Sequence, residues 1–389
     1  MSVEKTILAG LLALSALPAT AYASTRTPTT EQAPAAPAVR QLIDRAAARF
    51  LRENPQAVGV TVGVLINGQN HIYSYGKARL GQNRRPALDT IYPIASITKT
   101  FTGTLLAQAA VEHRLNLTDD VRKYLDGEYP NLEFAGHPIR LFDLLDHRSG
   151  LPFILPDRPE TSPDFHGDDR PWSARVAEIG RTYDKAQFLS DLHTVRLTAE
   201  PGSEFKYSNA AAQLAGYIIE RVYGRPYEVV LRDKVLIPLG MRNTGITIQK
   251  RALPRLAVGY DETGRPMPYV PDWLQGAGAI KSTAGDLLKY LRWQMAETDP
   301  AVKLSHQRVL TQGNYSAGLN WQILSNSSRR LIWQEGNIDG FNALCIQQPE
   351  LRIGLIILAN EEDRKSAHGN SVMANEILSG LDRRAITLP

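Results

Sequence analysis

Cysteine is nearly absent. Cys345 is the only one among 389 residues, so no intrachain disulfide can form. Stability must come from a packed core, which a chain of this length can build. Cys345 lies in the run NALCI and is expected to be a buried small hydrophobe, not a reactive thiol. No run of Lys and Arg with interleaved aromatics accompanies the net charge of +4, which argues against nucleic acid as a partner. The eight histidines contain no pair at i, i+4 spacing, and one cysteine makes no cluster, so no zinc site and no cofactor are expected. A G-x-S-x-G elbow is missing, which argues against an α/β-hydrolase.

Long hydrophobic runs are scarce as well. The N-terminal run from Ile7 to Ala19 is too short to span a bilayer comfortably. Lys5 precedes it and Ala21-Tyr22-Ala23 follows, the layout of a secretory signal peptide cleaved after Ala23. The expectation is a periplasmic or secreted protein with no stable membrane span after cleavage. Residues 24–38, rich in Pro, Thr and Ala, read as a disordered tether.

Beyond the tether, Leu42, Ile43, Ala46, Ala47, Phe50 and Leu51 recur at helical spacing. Val58, Val60, Val62, Val64 and Ile66 alternate, Asn67-Gly68 follows, and HIYSYG completes a hairpin pattern. Four strand candidates stand near the other end, at 319–324, 330–336, 342–348 and 352–360, followed by a helical stretch from Ser371 to Leu381. The middle reads as helices: KTFTGTLLAQAAVEH, IRLFDLLDH, AAAQLAGYIIERVYG, YEVVLRDKVLIPL and AGDLLKYLRWQM. Strands at both ends around a helical middle predict an α+β fold with one antiparallel sheet and an inserted helical domain. The expected division is residues 39–95 plus 300–389 for the sheet domain and 96–299 for the helical one, with the site between them.

The chemistry points to PIASITKTF, where Ser96 and Lys99 lie three apart on one helical face. The lysine amine can approach the serine hydroxyl, and the helix N-terminus can stabilise an oxyanion. The spacing alone is a weak signal, since Ser2-Val3-Glu4-Lys5 has it too, and a serine at a helix start is ordinarily a cap. A second element, PGSEFKYSN, supplies Tyr207 and Asn209; its decoy is Tyr129-Pro130-Asn131 in a polar loop. A tyrosine can relay a proton, and an asparagine amide can both accept from an ammonium and donate to a carbonyl.

With these motifs the chain resembles the serine β-lactamase and penicillin-binding protein superfamily, in its class C, DD-peptidase and esterase branch. DLLDHRSGLP (143–152), the segment 201–241 ending in PLGM, GAGAIKSTAGDLLKYL (276–291) and GLNWQ (318–322) are similar to family segments as well. The stretch 73–99 looks particularly like the AmpH-type penicillin-binding proteins. The resemblance implies a β-lactamase/transpeptidase-like fold, a sheet flanked by terminal helices. It also implies Ser96 as acylated nucleophile, Lys99 and Tyr207 as proton carriers of open order, and Asn209 as orienting group. His147 would be structural.

A third family element, K-T-G or H-x-G shortly before Gly-Phe, falls on IWQEGNIDGF. Gly336 takes the signature glycine, Gln334 the cation's position and Glu335 the middle one. Asn337 would offer its backbone N–H as second oxyanion donor. Only one of Gln334 and Glu335 is expected to face the cleft, because adjacent strand residues point to opposite faces. A neutral glutamine supports a substrate carboxylate less well than a cation, and a nearby glutamate repels one. The expected partner is therefore a peptidoglycan-derived peptide or small ester or amide without a free carboxylate beside the scissile bond. A true β-lactamase and a non-catalytic sensor on the same fold are the alternatives. The sequence leaves the oligomeric state open.

Overall fold

Apolar β-branched runs bounded by turns build the sheet. The computed structural model describes residues 36–157, 175, 178–267, 272–338, 340–361 and 364–389. The expected signal peptide lies outside the described residues, as does the tether as far as residue 35.

The strands are β1 (Gly59–Ile66), β2 (Gln69–Gly76), β3 (Tyr92–Pro93), β4 (Glu133–Phe134), β5 (His137–Pro138), β6 (Lys281–Ser282), β7 (Leu310–Gln312), β8 (Tyr315–Ala317), β9 (Gln322–Ser325), β10 (Arg330–Ile338), β11 (Phe341–Gln348) and β12 (Ile353–Ala359). The helices are α1 (Ala36–Glu53), α2 (Thr98–Val111), α3 (Leu141–Leu145), α4 (Lys185–Leu192), α5 (Asn209–Tyr223), α6 (Tyr227–Leu231), α7 (Ala284–Ala296), α8 (Pro300–Ser305) and α9 (Arg364–Leu381). Among the described residues the main sheet has eight strands in the order β2-β1-β12-β11-β10-β9-β8-β7. Its neighbours pair antiparallel throughout, so the first hairpin joins strands from the end of the chain through β1 and β12. The Asn67-Gly68 turn has φ of 47° and 81°, the left-handed pair a tight hairpin needs. This is the α+β architecture expected from the sequence, with β7 and β8 added and α1 starting at Ala36, inside the expected tether.

Both sheet faces are covered. Val60, Val62, Val64, Leu344, Ile346, Leu355 and Ile357 pack with α1 and α9 on one side. Leu65, Ala343, Cys345, Ile356 and Leu358 join the helical core on the other. Strands covered on both faces read as continuous apolar runs, which is why β11 and β12 show little polar alternation. Cys345 is fully buried.

The second helix runs through the middle of this core. A helix buried on every side must satisfy its own polar groups. Thr102 Oγ1 donates to the Gly276 carbonyl at 2.7 Å and meets the Tyr227 hydroxyl at 2.7 Å. The Tyr290 hydroxyl donates to Thr100 Oγ1 at 3.2 Å. Gly103 admits a neighbouring strand connection: a Cβ there would stand 2.2 Å from the Leu319 carbonyl oxygen. Gly103→Ala is expected to lower stability by about 1–3 kcal/mol through this overlap. Thermal or urea unfolding of the variant beside wild type checks it, and an unchanged midpoint would contradict it.

Candidate active site

Ser96 stands on a single helical turn, Ala95–Ile97, immediately before α2. Its neighbour Ala95 has φ 45°, a left-handed conformation unfavourable for alanine and a local strain at the site. Neither the turn nor α2 has a side-chain N-cap bond, so Ser96 is not a capping serine. Its Oγ instead accepts from Lys99 Nζ at 2.9 Å and from the Tyr207 hydroxyl at 2.5 Å.

Lys99 is fully buried at the first turn of α2. Its amine has two further partners, Asn209 Oδ1 at 2.7 Å and the Ala277 carbonyl at 2.8 Å. Both of these are acceptors only. Ser96 Oγ is the one partner that can also donate, so a neutral Lys99 can spend two hydrogens on the acceptors and turn its lone pair to Ser96. Burial lowers the Lys99 pKa to about 7, so near neutral pH the neutral form is well populated.

The Y-x-N segment is set by a cap. Ser208 is the N-cap of α5: its Oγ accepts from Ala211 N–H at 2.9 Å and donates to the Pro152 carbonyl at 2.6 Å. That places Asn209 as the first helical residue, pointing at Lys99, and leaves Tyr207 just outside the helix. The Tyr207 ring lies under Lys99 Nζ at 4.9 Å and packs on the His147 ring at 4.3 Å. Burial, with a contribution from Glu335, raises the Tyr207 pKa, so its hydroxyl keeps its proton. Burial and the Lys99 charge lower that of His147 to about 3, so its ring is neutral and packs as a wall.

The third element approaches from β10. Gly336 is required there: a Cβ would stand 2.3 Å from the Ile94 carbonyl oxygen and 3.0 Å from Ser96 N. Pairing with β9 ends at Trp333, so residues 334–338 have no strand partner on that side among the described residues. Gln334, expected at the cation's position, is 4% exposed. Its Nε2 donates to the Asn320 carbonyl at 3.0 Å and its Oε1 accepts from Glu335 N–H at 3.0 Å. Its amide is thus tied to the protein's own backbone, which differs from the substrate-binding role expected of it. Glu335 is the exposed member of the pair. Its N–H points away from β11, and in an antiparallel ladder the residue two positions on points the same way, so Asn337 turns its N–H to the open edge.

Two groups here were not singled out as site residues, although both lie in segments similar to the family's. Ala277 contributes only a carbonyl, held in place because Ile94 N–H donates to the Ile280 carbonyl at 3.0 Å and Ile280 N–H to Thr98 Oγ1 at 3.2 Å. Asn320, at φ 63°, donates through Nδ2 to the Lys99 carbonyl at 3.0 Å. The decoys resolve plainly. Asn131 braces the backbone at Leu192 and Val195, and Tyr129 stacks on His193. Ser2 and Lys5 lie outside the described residues.

A family model described as Beta-lactamase matches residues 39–376. The chain belongs to the beta-lactamase family. Accordingly it is a serine hydrolase. Among curated relatives, a Beta-lactamase of Lysobacter lactamgenus is 25% identical over 369 residues, covering 84% of this chain and 88% of the relative. The D-alanyl-D-alanine-carboxypeptidase/endopeptidase AmpH of Escherichia coli K12 is 26% identical over 347 residues, covering 84% and 85%. A crystal structure of a Beta-lactamase/D-alanine carboxypeptidase from Yersinia pestis, complexed with citrate, superposes with a TM-score of 0.73 at 26% identity, covering 88% of this chain and 99% of that one. Among the described residues no helix is long and apolar enough to cross a membrane.

Gly336→Ala is the direct probe of the β10 approach. It is expected to push β10 off the Ser96 turn and slow acylation by at least about tenfold, with about 1–3 kcal/mol lost in stability. Stopped-flow acylation and urea unfolding check both. Wild-type acylation in the variant would contradict the placement.

Proposed function

We propose that the chain is an exported hydrolase that forms an acyl-Ser96 intermediate on amide or ester bonds of cell-envelope substrates, peptidoglycan-derived or D-alanyl in type. Neutral Lys99 takes the Ser96 proton as Oγ attacks the carbonyl carbon. The developing oxyanion accepts from the backbone N–H groups of Ser96 and Asn337. As the carbon–leaving-group bond breaks, Tyr207 gives its proton to the departing atom and recovers one from Lys99. Water then attacks the ester with the proton transfers reversed. Asn209 and the Ala277 carbonyl hold Lys99 in line.

The carrying observation is the Lys99 partner set: two obligate acceptors, and a third partner that is the serine itself. Relatives named as D-alanine carboxypeptidases support envelope peptides as the substrate class. The lack of a cation at position 334 supports substrates without a free carboxylate beside the scissile bond. The signal-peptide layout of residues 1–23 supports export to a periplasmic or secreted location.

Intact-mass spectrometry after exposure to a neutral activated ester is expected to show an acyl adduct on wild type and none on Ser96→Ala. Penicillin should acylate slowly. Efficient penicillin hydrolysis at low KM would overturn the substrate preference, and no adduct from either compound would favour a binding protein. For the neutral ester, kcat/KM should rise with pH around a midpoint near 7, as Lys99 loses its proton. Because the Tyr207 pKa is raised, no falling limb should follow in the usual tyrosine range. A profile flat through neutrality would contradict Lys99 as base. N-terminal sequencing of the exported protein should begin at Ser24; an N-terminus at Met1 would contradict cleavage.

A further inference from the structure

We propose that His147 is a positioning residue for Tyr207: its ring, anchored on the Ser208 N–H, sets the Tyr207 ring so that the hydroxyl serves both Ser96 and the departing atom. This deepens the reading of Tyr207 as the acid that protonates the leaving group, and it rests on that reading.

His147 holds the residues on either side of Tyr207. Its carbonyl accepts from Lys206 N–H at 2.7 Å, and its Nδ1 accepts from Ser208 N–H at 3.3 Å. Its ring lies 4.3 Å from the Tyr207 ring, tilted by 35°. The Tyr207 hydroxyl in turn donates to Ser96 Oγ at 2.5 Å. Contacts therefore run without a break from Ser208 through His147 and Tyr207 to the nucleophile.

His147 itself sits on a braced turn. Asp146 Oδ2 accepts from Arg148 Nε at 2.7 Å, and Arg148 Nη1 donates to the Gly202 carbonyl at 2.8 Å. Gly202 N–H donates back to the Arg148 carbonyl at 2.8 Å. Residues 147–148 and 202–208 are thus tied together at both ends of the segment that carries Tyr207.

Bulk alone does not account for a histidine here. A backbone N–H can only donate, so Nδ1 is the acceptor and the hydrogen of the neutral ring sits on Nε2. That N–H is buried without a hydrogen-bond partner, which is unfavourable. The backbone is left-handed as well, with φ 62°, a conformation most side chains avoid. An apolar side chain would fill the space without the buried, unpartnered N–H. What the imidazole adds is an acceptor for the N–H of fully buried Ser208, beside a ring that packs on Tyr207.

Leaving-group chemistry separates positioning from packing. A departing alkoxide needs the Tyr207 proton as its bond breaks, whereas p-nitrophenolate is a stable anion and leaves without one. Misplacing the Tyr207 hydroxyl therefore slows the first far more than the second. Loss of folded enzyme lowers both in equal proportion.

The test measures kcat/KM for the ethyl and p-nitrophenyl esters of N-acetyl-D-alanine, with S96A as the blank. H147F and H147L each remove the acceptor, and the ratio of the two esters is independent of the folded fraction. H147N offers an amide oxygen to Ser208 N–H and accommodates the left-handed backbone. H147F and H147L are expected to lower the ethyl-ester value by about tenfold or more and the p-nitrophenyl value by less than about threefold. H147N should recover about threefold of the ethyl-ester loss. In a Y207F background H147F should cost nothing further on the ethyl ester, because both changes act through one hydroxyl. Equal losses on the two esters, no recovery in H147N, or additive losses in the double variant overturns the positioning role and leaves the proposed function standing. An unaltered ester ratio in Y207F, or turnover that survives in S96A, overturns both.

Discussion

The buried amine of Lys99 is the interaction on which the site depends. Three segments distant in sequence meet at it: the Ser96 turn, the start of α5 through Asn209, and the 276–282 segment through the Ala277 carbonyl. Taking an ammonium out of water is expensive, and among the described residues no carboxylate pairs with it. The protein supplies three oxygen partners instead. That satisfies the amine in either protonation state and lets its pKa fall to about 7. Weaker coordination would leave a destabilising buried group, and a carboxylate partner would keep the lysine charged and useless as a base.

The surrounding fold serves this contact. The all-round burial of α2 fixes the Lys99 stem, and Gly103 lets the backbone at Leu319 come close enough for Asn320 to bind the Lys99 carbonyl. Asn320 in turn receives the Gln334 amide, which ties β10 to α2. Gln334 thus braces the third wall, in the position where the family resemblance implies a cation.

Much of this was legible in the sequence. Spacing and context singled out Ser96, Lys99, Tyr207 and Asn209, and the structure links these four in one chain of hydrogen bonds, Tyr207 to Ser96 to Lys99 to Asn209. The hairpin at Asn67-Gly68 and the apolar runs of β11 and β12 announced the sheet. The rest was hidden for physical reasons. Ala277 acts through a carbonyl, which every residue has. Strands β7 and β8 are three residues each, too short for a periodic pattern. For Gln334 and Glu335, alternation required opposite faces, but only the tertiary contact with Asn320 decides which side chain is consumed inside and which reaches solvent.

NMR titration of protein labelled at lysine Cε, with Lys99 assigned from Lys99→Arg, measures the poised amine without substrate or turnover. A midpoint near 7 is the predicted result. A midpoint near the ordinary lysine value of about 10.4 would contradict it, because Lys99 would then be a charged strut beside Ser96 and not its base.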